Sequence, residues 1–345
     1  MGAFTSDSVL KYAPDCCFPL NHAEAISAHS RLHLNSLCDL NTTALLNAAK
    51  KFNIKSKYSD PFKLISTENP DLLCLATRTL GRTEIILHAI DAGICAIHSE
   101  KPLCNSVSEL DNLTEAIESS NIFFTWGAIR RFFGVYRQAL TLANSGQYGK
   151  LREVRINMGS ASMFWTHPHS IDLLLFAAGD RRIKGVQARL ENVVSTGSLV
   201  EIDSDPKIIA ASVYFEDNFS GHITQGIGCD FILSCENGEI MVRADGAGLE
   251  LYSCLDSIYP KRSELEIATH ADPSGTLGPI SQLVSCLDGD LVSQKNNKKL
   301  KRDILSAQRI AFAMLQSHLE GSRINSLTSI DPKMVIKANT NGISA

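Results

Sequence analysis

From residue 31 to about residue 125 the chain alternates short apolar runs with segments of helical spacing, and after Trp126 that alternation stops. Few features restrict a fold more. A strand that returns to its neighbour through a helix of about a dozen residues must pair with it in parallel. The run 32–38 reads as a strand ending at Asp39, the segment 41–52 as a helix capped by Asn41 or Thr42, and 71–76 as the next strand. A helix over 83–91 closed by Gly93, a strand over 94–97, a helix over 107–119 and a strand over 122–125 continue the rhythm.

Beyond residue 126 the spacing predicts helices over 132–145 and 170–178. Strand-like runs then follow at 183–194, 208–215, 221–227, 231–235, 239–242 and 249–253. Asn237-Gly238 is a strong hairpin signal. Strands in succession without intervening helices imply an antiparallel sheet. Helices return at 278–287 and 303–319. Between them, residues 296–299 read as a polar loop with solvated lysines, and 337–345 as a loose tail. The fold class is α/β, with a first domain over 1–125 and an α+β domain over 126–345.

The bulk numbers agree with two globular domains. The chain has 345 residues, 44 % of them hydrophobic and 20 % charged, enough for a substantial core. A formal net charge of −4 with no long basic stretch excludes nucleic acid as a partner. No apolar run reaches the roughly 18 residues a membrane span requires. Ten cysteines without metal-ligand spacing predict free thiols in the cytoplasm and no metal site.

Glu100-Lys101-Pro102 follows closely on the apolar strand 94–97, which sets Lys101 at the carboxyl end of a parallel sheet, where open α/β folds bind ligands. A lysine there either meets a ligand or is simply solvated. Its company decides how it is read. The chain carries Cys38-Asp39, the Ala76-Thr77 turn, Arg130-Arg131-Phe132, Gln147-Tyr148-Gly149-Lys150, a segment running from His169 through Asp172 to Gly179, and Asn237-Gly238-Glu239-Ile240. In this order and spacing they resemble the Gfo/Idh/MocA family of NAD(P)-dependent oxidoreductases along nearly the whole chain.

The resemblance implies a Rossmann domain followed by an open, mainly antiparallel sheet domain for substrate binding and oligomerisation, and hence a homo-oligomer joined through that sheet. It implies hydride transfer between NAD or NADP and a hydroxyl or keto group of a sugar, cyclitol or nucleotide sugar. Lys101 matches the family's catalytic lysine and His169 its active-site histidine. Asp39 takes the position that accepts the ribose hydroxyls, and with no cation at Leu40 or Asn41, NAD is favoured slightly over NADP. Thr77, Glu100 and Lys101 line the cofactor cleft, and Arg131, His167 and Asp172 are candidates for substrate contact. Each has a plainer role available: a helix cap for Asp39, a core or capping residue for His169, a surface ion pair for Arg131.

Three departures stand against the pattern. Only Gly2 remains where a G-x-G-x-x-G turn would run, so the first strand and its phosphate-binding glycines are incomplete, which a truncated start would explain. Trp165 stands where the family has an aspartate. Arg82 replaces a histidine that is common there, and is expected at the cleft edge or exposed. These departures motivate a second reading, a catalytically impaired member acting as a ligand-binding or regulatory protein.

Overall fold

The computed structural model describes residues 2–3, 11, 17–195, 197–198, 200–268 and 275–337. Most of the expected incomplete first strand and its turn, and the tail beyond 337, lie outside the described residues. The chain divides into two compact units. The first comprises Met1–Cys104, Glu109–Ile129 and Pro273–Ile304, and the second Asn105–Ser108, Arg130–Asp272 and Leu305–Ala345. The linear boundary at 125/126 thus misses a late segment, 273–304, that belongs to the first unit.

That unit begins with α1 (His22–Ala28), β1 (Ser36–Cys38), α2 (Thr42–Phe52), β2 (Ser56–Tyr58) and α3 (Pro61–Glu68). The Asn41 side chain caps α2 by accepting the Ala44 N–H at 3.0 Å. Asp60 starts α3 in the same way, accepting the Phe62 N–H at 2.9 Å, with Pro61 preset for the first helical position. Next come β3 (Leu72–Leu75), α4 (Arg82–Asp91), β4 (Ala96–Ser99), α5 (Val107–Ser119) and β5 (Phe123–Trp126). All strand pairs in this unit are parallel, as the alternation requires. They form two groups, β1-β2 and β3-β4-β5, and among the described residues no strand joins β1 to β3. This is where the incomplete first strand would run. Near it, the Gly2 carbonyl accepts the Ala23 N–H of α1 at 2.9 Å.

One strand is displaced from its predicted position. The apolar run 94–97 suggests β4 there, yet the ladder runs over Ala96–Ser99, with His98 paired to Cys74 and Thr125. The buried polar pair His98 and Ser99 hid the strand's second half from a hydrophobicity reading.

The late segment supplies α8 (Leu277–Leu287), which packs on β4, β5 and α1, and α9 (Leu291–Leu319). Here the sequence expectation fails. Residues 296–299 are not a loop but sit within α9. Asn297 is fully buried, and its side chain donates to the Phe124 carbonyl at 3.0 Å and accepts the Phe124 N–H at 3.1 Å. Both outward-facing backbone groups of Phe124 in β5 are thereby satisfied, as a further strand would satisfy them. Lys299 pairs with Asp303 one turn on at 2.8 Å, and Lys301 donates to the Ile122 carbonyl at 2.9 Å.

The second unit is built on an eight-stranded sheet in the order β14-β13-β12-β11-β6-β10-β9-β7. Its members are β6 (Leu151–Met158), β7 (Ile183–Glu191), β9 (Lys207–Phe215), β10 (Ser220–Thr224), β11 (Cys229–Cys235), β12 (Gly238–Arg243), β13 (Gly248–Ser253) and β14 (Lys261–Glu264). Every pair is antiparallel except β6 with β10. A small parallel pair, β8 (Glu201–Ile202) with β15 (Val335–Ile336), lies apart from this sheet. Asn237-Gly238 closes the β11-β12 hairpin as predicted. Val154, Ile156, Phe231, Leu233, Ile240 and Val242 bury one face completely. Against the sheet pack α6 (Gly134–Ala143), on β11 and β12, and α7 (Pro168–Ala178), on β6 and β10. A Cβ at Gly221 would fall 2.4 Å from Leu174 Cγ, so only glycine admits α7 this close to β10. Among the described residues no helix is long and apolar enough to cross a membrane.

Candidate active site

In the first unit, the carboxyl ends of β3 and β4 hold a polar cluster. Thr77 lies two residues past β3, and Glu100 and Lys101 immediately follow β4. The Glu100 N–H donates to the Leu75 carbonyl at 2.8 Å, which ties the start of this turn to β3. The Glu100 carboxylate meets His22 Nε2 at 3.2 Å and accepts the Lys101 N–H at 3.3 Å. A Cβ at Gly127 would sit 2.7 Å from Glu100 Oε2, so the carboxylate depends on glycine at the end of β5 for its place.

Two histidines complete the cluster, and the sequence reading assigned a role to neither. His98 Nδ1 contacts Thr125 Oγ1 at 2.9 Å, and the His22 and His98 rings meet edge to face with centroids 4.7 Å apart. Burial drives the His98 pKa well below its ordinary value, and the neighbouring His22 adds to the drop. Burial also lowers that of His22, against the opposing pull of Glu100. The outward signal was a histidine inside an apolar run, which propensity alone does not explain.

Arg82 is not exposed. It is 2 % accessible, and its guanidinium donates to the carbonyls of Thr77, Glu100 and Pro102. Asp39 follows β1, exposed, with its side chain accepting the Asn41 N–H at 2.7 Å. It closes a turn rather than capping the helix, a task Asn41 performs, and its carboxylate faces outward.

The second unit holds the remaining candidates. His169 is half-buried in the first turn of α7, and its N–H donates to the Thr166 carbonyl at 3.3 Å. Arg131 and Asp172, read as substrate contacts, instead engage each other. Arg131 Nε donates to Asp172 Oδ2 at 2.7 Å, Nη2 donates to the Asp172 carbonyl at 2.9 Å, and the side chains are 8 % and 1 % accessible. His167, also read as a substrate contact, is fully buried, with Nδ1 3.1 Å from Ser170 Oγ. The sequence placed all three near the right helix but had no means of seeing which face turned inward. Trp165 is half-exposed. Its N–H and that of Phe164 donate to the Asp205 carboxylate at 3.0 and 2.9 Å, which brings an acid to the turn where the family's aspartate is missing.

His167 yields a measurable consequence. Burial pushes its pKa down to about 4 from 6.5. The unfolded chain then binds a proton that the folded chain refuses, so stability is fully present above about pH 6.5 and is lost as pH falls towards 4. The expected loss is about 3 kcal/mol over that window. Urea midpoints at pH 7 and pH 4.5 will show it, and His167→Gln should make the dependence less steep, leaving the share of His22 and His98. An equally steep dependence in that variant would reject the assignment.

Comparison with known proteins identifies the first unit. Residues 18–127 match the model of the oxidoreductase family with an NAD-binding Rossmann fold, GFO_IDH_MocA. This segment belongs to the Gfo/Idh/MocA oxidoreductase family. A curated relative, myo-inositol 2-dehydrogenase of Thermotoga maritima, is 24 % identical over 135 residues, which span 39 % of this chain and 40 % of the relative. The chain thus aligns with well under half the length of that enzyme. Among solved structures, an oxidoreductase domain protein from Kribbella flavida superposes with a TM-score of 0.70 at 20 % identity, covering 89 % of this chain and 95 % of the other. Levoglucosan dehydrogenase in complex with NADH and levoglucosan gives 0.66 at 16 %, covering 85 % and 90 %. These likenesses of fold cover residues of both units.

A dinucleotide fits the first unit at two ends. Asp39 offers an exposed carboxylate after β1, and Thr77, Glu100 and Lys101 gather after β3 and β4. Of the glycine turn that would carry the pyrophosphate the sequence keeps only Gly2. Nor do the described residues hold any group of three His, Cys, Asp or Glu arranged for a metal ion.

Proposed function

We propose that this chain is an NAD(P)-dependent oxidoreductase acting on a CH–OH group of a cyclic polyol or sugar. One observation carries the reading. Lys101 stands two residues past the end of a buried parallel strand, inside the segment that matches the NAD-binding family model. The nicotinamide cofactor would supply the hydride acceptor. The chain's own residues do the rest. The Lys101 ammonium hydrogen-bonds the reacting oxygen and stabilises charge as it develops there. His169 serves as the second proton-handling group, held by the first turn of α7. Asp39 binds the adenosine ribose, and Thr77 and Glu100 shape the floor of the cofactor cleft. Arg131, His167 and Asp172 serve as the framework of α7 rather than as contacts to substrate.

The relatives, an inositol dehydrogenase and a levoglucosan dehydrogenase, support a ring hydroxyl as the site of oxidation. We also place the protein in a homo-oligomer joined through the large sheet, which light scattering on the purified chain tests. Trp165 favours the alternative of a binding protein without efficient turnover, whereas the Asp205 carboxylate beside it favours an enzyme. Calorimetric titration with NAD⁺, NADH and NADPH separates the proposal from no nucleotide function at all. Micromolar binding of at least one is expected, and no heat with any of them would remove the cofactor assignment. Turnover of myo-inositol or levoglucosan with the bound nucleotide then decides between enzyme and binding protein.

A further inference from the structure

Arg82 occupies a costly place. It is the first residue of α4, where the helix dipole disfavours a cation. It is almost wholly buried, and burial pushes its pKa down to about 10 while leaving it charged near neutrality. Removing a guanidinium from water is expensive unless its donors are met. Here they are met by main chain. Nη1 donates to the carbonyls of Glu100, at 2.8 Å, and Pro102, Nη2 to the carbonyl of Thr77, and Nε lies 3.5 Å from Thr77 Oγ1. The three carbonyls belong to two separate turns, one after β3 and one after β4, and two of them bracket Lys101 on either side. Among the described residues no carboxylate takes a direct bond from it. A planar fork with fixed donor directions suits this task, whereas a lysine would reach one turn at a time.

We propose that Arg82 is a positioning residue that sets the backbone flanking Lys101, fixing where that ammonium stands relative to the Thr77 turn. The inference rests on the reading of Lys101 as the reacting cation but reaches a residue which that reading does not require. A solely structural arginine would stabilise the unit without governing Lys101. The two cases separate by experiment.

Lysines are dimethylated with ¹³C-formaldehyde in the intact chain, and the Lys101 signal is assigned by its loss in Lys101→Arg. Wild type, Arg82→Ala and Arg82→Lys are compared for the Lys101 resonance, NADH affinity by fluorescence, and thermal midpoint. Both variants are expected to move or broaden the Lys101 signal and to weaken NADH at least tenfold. Addition of methylguanidinium to Arg82→Ala should restore both. Arg82→Lys keeps the charge and serves as the test if the alanine variant does not fold. A folded Arg82→Lys protein with a wild-type Lys101 signal would overturn the proposal, as would failure of methylguanidinium to restore the signal in a folded Arg82→Ala. If wild type itself does not bind NADH, the functional reading fails, while the Lys101 signal still decides the role of Arg82.

Discussion

Lys101→Met lowers turnover by about 10²–10⁴-fold, the range expected when a positioned proton-handling or charge-stabilising group is lost, and leaves the thermal midpoint within about 2 °C of wild type. Methionine keeps most of the side chain's length and apolar stem while removing the ammonium. The neighbouring contacts argue for a quiet structural effect. Glu100 is held by His22 and by the Lys101 main-chain N–H, which the substitution retains. The split between constants is informative. Loss confined to kcat points to charge developing in the transition state, while a raised KM with kcat intact points to ground-state binding. The measurement is initial-rate kinetics with NAD⁺ and myo-inositol or levoglucosan, whichever the wild type oxidises. A variant with undiminished kcat/KM would remove Lys101 from the reacting centre.

Asp172→Ala destabilises the protein by about 3–5 kcal/mol, because it leaves the Arg131 guanidinium buried without its carboxylate. The pair lies beneath α7, with Arg131 also stacked over Phe176 at 5.5 Å. The double replacement Arg131→Met with Asp172→Leu removes both charges together and is expected to cost much less, since an apolar pair of similar volume carries no desolvation penalty. Urea unfolding of Arg131→Met, Asp172→Leu and the double gives the coupling directly. A single-variant loss below about 1 kcal/mol would show that water reaches Arg131, and would return it to the list of substrate contacts.

What could be read from the sequence follows from how local each cause is. The alternation over 31–125 and the Asn237-Gly238 hairpin are set by neighbours a few residues apart, and both appear as expected. Three of the sequence-named residues, Thr77, Glu100 and Lys101, gather at adjacent strand ends because parallel β3 and β4 bring their carboxyl termini together. The failures come from partners far away in the chain. Asn297 reads as loop because asparagine and lysine are poor indicators of a buried helix, yet its amide is consumed by Phe124, 173 positions earlier. Arg82 reads as a surface residue because nothing near it announces three main-chain acceptors. Arg131 and Asp172 could be placed on their elements but not paired, since the pairing depends on how the turn before α6 meets α7.

The amide of Asn297 also bears on how this protein can be dissected. A cut after residue 129 would keep all five parallel strands but discard the group that closes the outer flank of β5, exposing Phe124 to any extended peptide in reach. Such a fragment should self-associate, whereas a fusion that splices 273–304 back onto it should stay dispersed. The nucleotide-binding half is therefore defined by two stretches of chain, and an engineer transplanting it must carry both.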